Sequence, residues 1–197
     1  MSGAGPPRGA RPAEERHAPV PLPRTLRVVN IPDGTDGVLT EGTVVQVTQT
    51  LGTSYTVKTE RGAKYRVRGE DGDALGMPKL GTGKVVPTAQ TVPAIATAAN
   101  QALRKVYDPE IPVDIVNLGL VHELLIEPKA DGTFHAKVRM GLTSPGCGMG
   151  DVLVRDVEAA LRNIEGISAV DAKVVLFPVW NPNTMMSDAA KLKLGML

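Results

Sequence analysis

Polar and apolar positions alternate along the first part of the chain and recur at helical spacing along the second. In TVVQVTQTL (43–51), Val45, Val47 and Gln49 fall on one face of a strand, and Val44, Gln46 and Thr48 on the other. TLRVVNI before it, and YTVKTE and AKYRVRG after it, have the same strand-like composition and are parted by glycine-rich turns. Residues 25–76 are therefore predicted to form a small antiparallel β domain, closed by the polar loop GEDGDALG. From residue 93 the period changes. PAIATAANQALRKVY carries Ile95, Ala98, Ala99, Ala102, Leu103 and Val106 at helical spacing, with Pro93 near the first turn. DPEIP ends that helix, because Pro109 restricts Asp108 and cannot continue the ladder.

LGLVHELLIEP and TFHAKVRMGL flank the turn KADG as a hairpin. Phe134, Ala136, Val138, Met140 and Leu142 form its buried face, and His135, Lys137 and Arg139 its wet face. MGDVLVRDVEAALRNIEG has an apolar stripe of Met149, Leu153, Val157, Ala160, Leu161 and Ile164, and Gly166 is placed to cap its end. ISAVDAKVVLFPVW reads as a last strand. NTMMSDAAKLKLG reads as one short amphipathic helix with Met185, Met186, Ala189 and Leu192 on one side. The predicted fold class is α+β: a small mixed sheet with helices on one face, in the order α-β-β-α-β-α over 93–197, preceded by the antiparallel β domain.

Composition adds the flanks. Residues 1–24 are rich in Pro, Gly, Ala and Arg and are predicted to be a disordered tail. Residues 77–92 read as a linker. Its GTGK is not a phosphate loop, because Lys84 is followed by Val85 rather than Ser or Thr and the glycine spacing is wrong. Aromatic residues are only 3% of the chain, so the core must be built from aliphatic side chains and Met. The 22 Lys+Arg against 21 Asp+Glu give no broad attraction to nucleic acid or an acidic membrane, and neither is expected as a partner. No apolar run is long enough to span a bilayer, and the first twenty residues lack the apolar core of a signal peptide. With 1 Cys no intramolecular disulfide can form, and a cytoplasmic location is expected.

That cysteine is the chemical question. Cys147 lies in TSPGCGMGDVL, among Gly146, Gly148 and Gly150 and just ahead of a predicted helix. A thiol there meets unpaired backbone N–H groups and the positive end of the helix dipole, and both favour thiolate. Metal ligation or nucleophilic attack follows from that; a small buried hydrophobe is the other reading. Asp108 and Glu110 of DPEIP are candidate acidic companions. Without a cation between them they would raise the thiol pKa, and with one they would complete a ligand set; as solvated turn residues they would do neither. His17, His122 and His135 lack metal-site spacing. A thiol enzyme or redox protein using Cys147 as nucleophile is the alternative class. It wants a base or a resolving cysteine, and the sequence supplies no second cysteine.

VYDPEIPVDIVNLGLV (106–121), followed by LTSPGCGMGDVL (142–153), resembles the SufT-type, MIP-family iron–sulfur assembly domain. The resemblance covers about 93–197, and LGTSYTVKTERGAKYRVRGEDGDALG more loosely resembles the N-terminal β extension of longer members. It implies an α/β domain that helps transfer or target clusters to client apoproteins without being an enzyme. Its reactive cysteine maps onto Cys147 and its acids onto Asp108 and Glu110, with Thr143, Gly146 and Gly148 as supporting positions. The implied partners are iron–sulfur scaffold or carrier proteins and client apoproteins, with a homodimer possible. The implied cargo is a transient iron–sulfur cluster or iron, with no cofactor tightly bound. Clusters are usually held by four thiolates, and a chain with one can only share that task.

Overall fold

Short strands parted by glycine turns build the first half. The computed structural model describes residues 17–108, 111–144 and 148–196. Its first sheet has six strands: β1 (Val20–Pro21), β2 (Leu26–Ile31), β3 (Asp36–Leu39), β4 (Val44–Leu51), β5 (Ser54–Thr59) and β6 (Lys64–Arg68). Their spatial order is β1-β4-β5-β6-β2-β3, and every pairing is antiparallel. A 3-10 helix over Gly69–Leu75 closes the sheet. One face buries Leu22, Leu26, Val28, Val45, Val47, Val57 and Val67 together with Tyr55, whose hydroxyl donates to the Pro78 carbonyl at 2.7 Å. Each such aliphatic side chain contributes about 1.5–3 kcal/mol when fully buried.

Three expectations change here. Part of the predicted tail is folded: Val20–Pro21 pairs with β4, and Leu22 is buried beneath it. The antiparallel sheet is the larger of the two, because β1 and β3 add a strand at each edge. In β4 the alternation of faces fails at Thr48, which is buried directly after buried Val47. A register shift between Val47 and Gln49 inserts an extra residue against β5, and Thr48 Oγ1 donates to the Thr56 carbonyl at 3.2 Å.

Residues 77–92 are held against both halves. Leu80 packs on the first core, and Val85 N donates to the Asn163 carbonyl while its own carbonyl accepts from Glu165 N. The second half then runs α1 (Val92–Leu103), β7 (Val121–Pro128), β8 (Phe134–Met140), α2 (Gly150–Arg162), β9 (Ile167–Val174), α3 (Pro182–Met185) and α4 (Asp188–Lys193). β7 and β8 are antiparallel, β8 and β9 parallel, in the order β7-β8-β9. α1 packs on β7 and on α2, and α2 packs on β9. Ile95, Leu103, Leu118, Val138, Leu161 and Ile164 are among the side chains sealed between these layers. The molecule is thus mixed α+β: a large antiparallel sheet beside a smaller mixed sheet with helices.

The C-terminal stretch is two short helices rather than one. Ser187 caps α4 by accepting from Ala190 N at 3.2 Å, and this break shifts the helical phase. Met186 and Ala190 are therefore buried, while Leu192, expected inside, is 68% exposed. The last predicted strand stops at Val174; Leu176, Phe177 and Val179 beyond it are exposed. Among the described residues no helix is long and apolar enough to cross a membrane.

Candidate functional site

After α1 the chain makes a tight, internally bonded loop. Ile115 N donates to the Val106 carbonyl at 2.9 Å, and Asp108 N to that of Val113 at 3.2 Å. This fold draws Asp108 inward, where it is only 6% exposed. Its Oδ1 accepts from Ile111 N at 2.9 Å. Its Oδ2 faces Thr143 Oγ1, which donates across 3.4 Å. The two motifs singled out in the sequence therefore meet, and the DPEIP loop is tied to the TSPGCG loop by a buried carboxylate and a half-buried hydroxyl. Removal of such a carboxylate strands its donors.

Of the predicted site residues, Asp108, Thr143 and Gly148 are placed. Glu110, Gly146 and Cys147 lie outside the described residues. Gly148 follows the cysteine directly and sits against the first sheet. A Cβ added there would lie 2.2 Å from the Asp33 carbonyl oxygen, and one added at Gly34 would lie 2.0 Å from the Gly148 oxygen. Gly34 also has φ +70°, a left-handed conformation that favours glycine. The turn between β2 and β3 thus rests on the residue next to the cysteine, a contact no sequence pattern announced.

α2 begins at Gly150 with Met149 at its N-cap, and among the described residues no side chain caps it. Asp151 is the acid in its first turn, where backbone N–H groups favour negative charge. His122 is partly covered. Its Nε2 is buried without a hydrogen-bond partner among the described residues, and a Cβ on Gly141, at the foot of the TSPGCG loop, would stand 2.6 Å from it. Among the described residues, no three His, Cys, Asp or Glu side chains converge as a metal cage.

A second buried acid was missed in the sequence. Asp114, 7% exposed, accepts from Asn117 N at 2.9 Å and from Asn117 Nδ2 at 2.7 Å. The D-x-x-N spacing is the signal that could have found this turn. Ser187 Oγ donates to Asn117 Oδ1 at 2.9 Å, and Trp180 Nε1 to the Leu118 carbonyl at 2.7 Å. The C-terminal segment therefore buttresses the loop that carries Asp108.

The two halves also meet through charge. Arg66 of β6 donates to Asp156 of α2, with both side chains largely covered. Burial pushes the Asp156 carboxyl up, while the Arg66 guanidinium pulls it back down. Arg155 of α2 reaches both oxygens of Asp36 at 3.2 Å.

Against known proteins, residues 97–174 match a family of iron–sulfur cluster assembly proteins. An Fe-S protein maturation auxiliary factor of Porphyromonas gingivalis is 40% identical over 95 residues, which are 48% of this chain and 86% of that protein. The Fe-S protein maturation auxiliary factor SufT of Staphylococcus aureus is 40% identical over 90 residues, 46% of this chain and 97% of its own. A crystal structure of a domain of unknown function from Bacillus anthracis is 35% identical, covering 53% of this chain and 95% of that one, with a TM-score of 0.46. The matched family segment contains Asp108, Thr143, Cys147 and Gly148.

Proposed function

The chain belongs to the family of iron–sulfur cluster assembly proteins, and from that premise we propose that it is a cytoplasmic, non-catalytic auxiliary factor that passes or targets clusters to client apoproteins through Cys147. The observation that carries this reading is the Thr143–Asp108 hydrogen bond. It fixes the start of the cysteine loop against a buried carboxylate, just before a helix that has no side-chain cap among the described residues. A thiol delivered to such a helix end is stabilised as thiolate, the form that ligates iron.

The cluster is cargo in this scheme. With 1 Cys in the chain, at most one of the four thiolates that usually hold a cluster comes from each copy. The other ligands come from the donor protein, the client or a small thiol, so binding is transient and the cluster moves on by thiolate exchange. Asp108 is a positioning residue: its bonds to Ile111 N and Thr143 set the two loops relative to each other.

The test is anaerobic transfer of a cluster from a loaded scaffold protein to an apo-ferredoxin, followed by circular dichroism with and without the full chain. Wild type accelerates transfer; Cys147→Ser does not; Asp108→Asn retains the fold and slows transfer. Equal acceleration by wild type and Cys147→Ser overturns the role of the thiol.

A further inference from the structure

A cleft of about 700 Å³ separates the first sheet from α2, and cluster handling at the cysteine loop makes no use of it. That volume is in the range that holds a ligand of several bonds' length (~300–1,000 Å³). Its floor is the outer face of β6, β2 and β3, and one wall is the side of α2 from Val152 to Ala159.

The charges on these surfaces are mostly matched. Arg66 is paired with Asp156, Arg155 with Asp36, and Arg68 with Glu70 at 3.0 Å. Arg27 is the exception. It is exposed and makes no ion pair or hydrogen bond among the described residues, so the cleft carries a surplus positive charge. Directly across the strand pair from Arg27 stands Val38, 61% exposed. Val38 belongs to β3, which ends the sheet order and so, among the described residues, offers an unpaired backbone edge over Asp36–Leu39.

An unpaired guanidinium, an exposed aliphatic side chain and a free strand edge lie within one cleft. An extended polypeptide uses all three: its backbone adds to the edge, a carboxylate side chain on the cleft face meets Arg27, and an apolar side chain two residues along, on that same face, covers Val38. A small anion uses only the first. We propose that this cleft docks an extended, acidic segment of the client apoprotein against the edge of β3.

The cleft also leads somewhere useful. It runs along α2 to Val152, four residues from Gly148, and the β2–β3 turn that bounds the sheet already touches Gly148. A segment held there has its continuation directed toward the cysteine loop. The curated relatives, matched over 86% and 97% of their own lengths, have no room for a sheet of this size, so the docking surface is an addition to the shared function. The proposal rests on the reading of this chain as a factor that serves client proteins.

The experiment uses the full chain and a short fluorescein-labelled peptide of repeating Glu-Thr-Val-Thr, which puts Glu and Val on one face of a strand, read by anisotropy. The peptide binds wild type, and binding weakens as salt is raised. Arg27→Glu and Val38→Asp, both at exposed positions, each weaken it about tenfold or more while circular dichroism stays unchanged. A Lys/Val peptide does not bind. Absence of Glu/Val binding, or equal binding to Arg27→Glu, overturns the proposal. So does calorimetric binding of citrate with no binding of the peptide, which would make this a small-anion site. Cys147→Ser binds the peptide as wild type does, so loss of cluster transfer and loss of docking are separate results.

Discussion

The two halves of the molecule bury different chemistry. The first sheet seals an aliphatic core, and its buried polar side chains are the neutral Thr48, Ser54 and Thr56, of which Thr48 donates to the Thr56 carbonyl and Ser54 to that of Leu51. The second half buries two carboxylates, Asp108 and Asp114, in one loop between α1 and β7. A carboxylate is expensive to bury, and both are kept there by donors from their own turn. The first half shows what a sheet needs to be stable. The second shows where stability has been spent to fix a loop. Family membership follows the same line: the matched segment contains the acids and the cysteine loop and none of the six-stranded sheet.

The sharpest break of this contrast is Leu161→Ala. Leu161 is fully buried in the second core, and truncation should cost about 2–5 kcal/mol in urea unfolding, the largest single-site effect here. If hydrogen exchange on β4 and β5 stays protected under conditions that open β8 and β9, the two cores open separately.

Arg66→Ala removes the covered cation that joins the halves and should cost about 1–3 kcal/mol, because Asp156 is left without its partner. Its pH dependence has a definite sign. Burial raises the Asp156 carboxyl above its ordinary value, so its contribution is complete below pH ~4 and is lost as pH rises through the folded value. Without Arg66 that value climbs further, and stability of the variant should fall more between acid and neutral pH than wild type does. Parallel pH profiles would show that the pair is not coupled across the halves.

Gly34→Ala probes the contact between the first sheet and the cysteine loop. The added methyl points into the Gly148 backbone from a left-handed residue, and a loss of about 1–3 kcal/mol is expected. The rate of Cys147 alkylation should change with it, since the label has one thiol to find.

The smallest effect belongs to Asp131, in the exposed turn between β7 and β8. Hydrogen bonds from the Thr133 hydroxyl and backbone, aided by Lys129, lower its carboxyl to about 2. Its folded value lies below the unfolded one, so its contribution is present above pH ~4 and is lost as pH falls through about 2. Asp131→Asn should approach wild type as pH is lowered to 2 and be slightly less stable at pH 7 by thermal unfolding.

Much of the second half was legible because one period held throughout each element. The stripes on α1 and α2 and the face of β8 are the buried sets their spacing predicted, with Ala160 and Leu142 only partly covered. The pattern misled where a local event reset the phase. An extra residue at Thr48 turned β4 over, and the Ser187 cap moved Leu192 to solvent. Neither leaves a mark in hydropathy, since a bulge and a cap are set by the partner strand and the preceding loop. Leu22 was hidden by its proline-rich surroundings, although β4 is what covers it.

By itself the sequence determined most of the elements, the cysteine loop and its acidic companion motif, because glycine, proline and side-chain periodicity act over a few residues. Tertiary structure decided what those motifs touch. Asp108 meets Thr143, Gly148 meets Asp33 and Gly34, and Arg66 meets Asp156. The Thr143–Asp108 and Arg66–Asp156 partners lie 35 and 90 residues apart, and no local rule couples positions at that range. Their choice was made by how two packed cores fit against each other, where burial and close backbone approach select one arrangement.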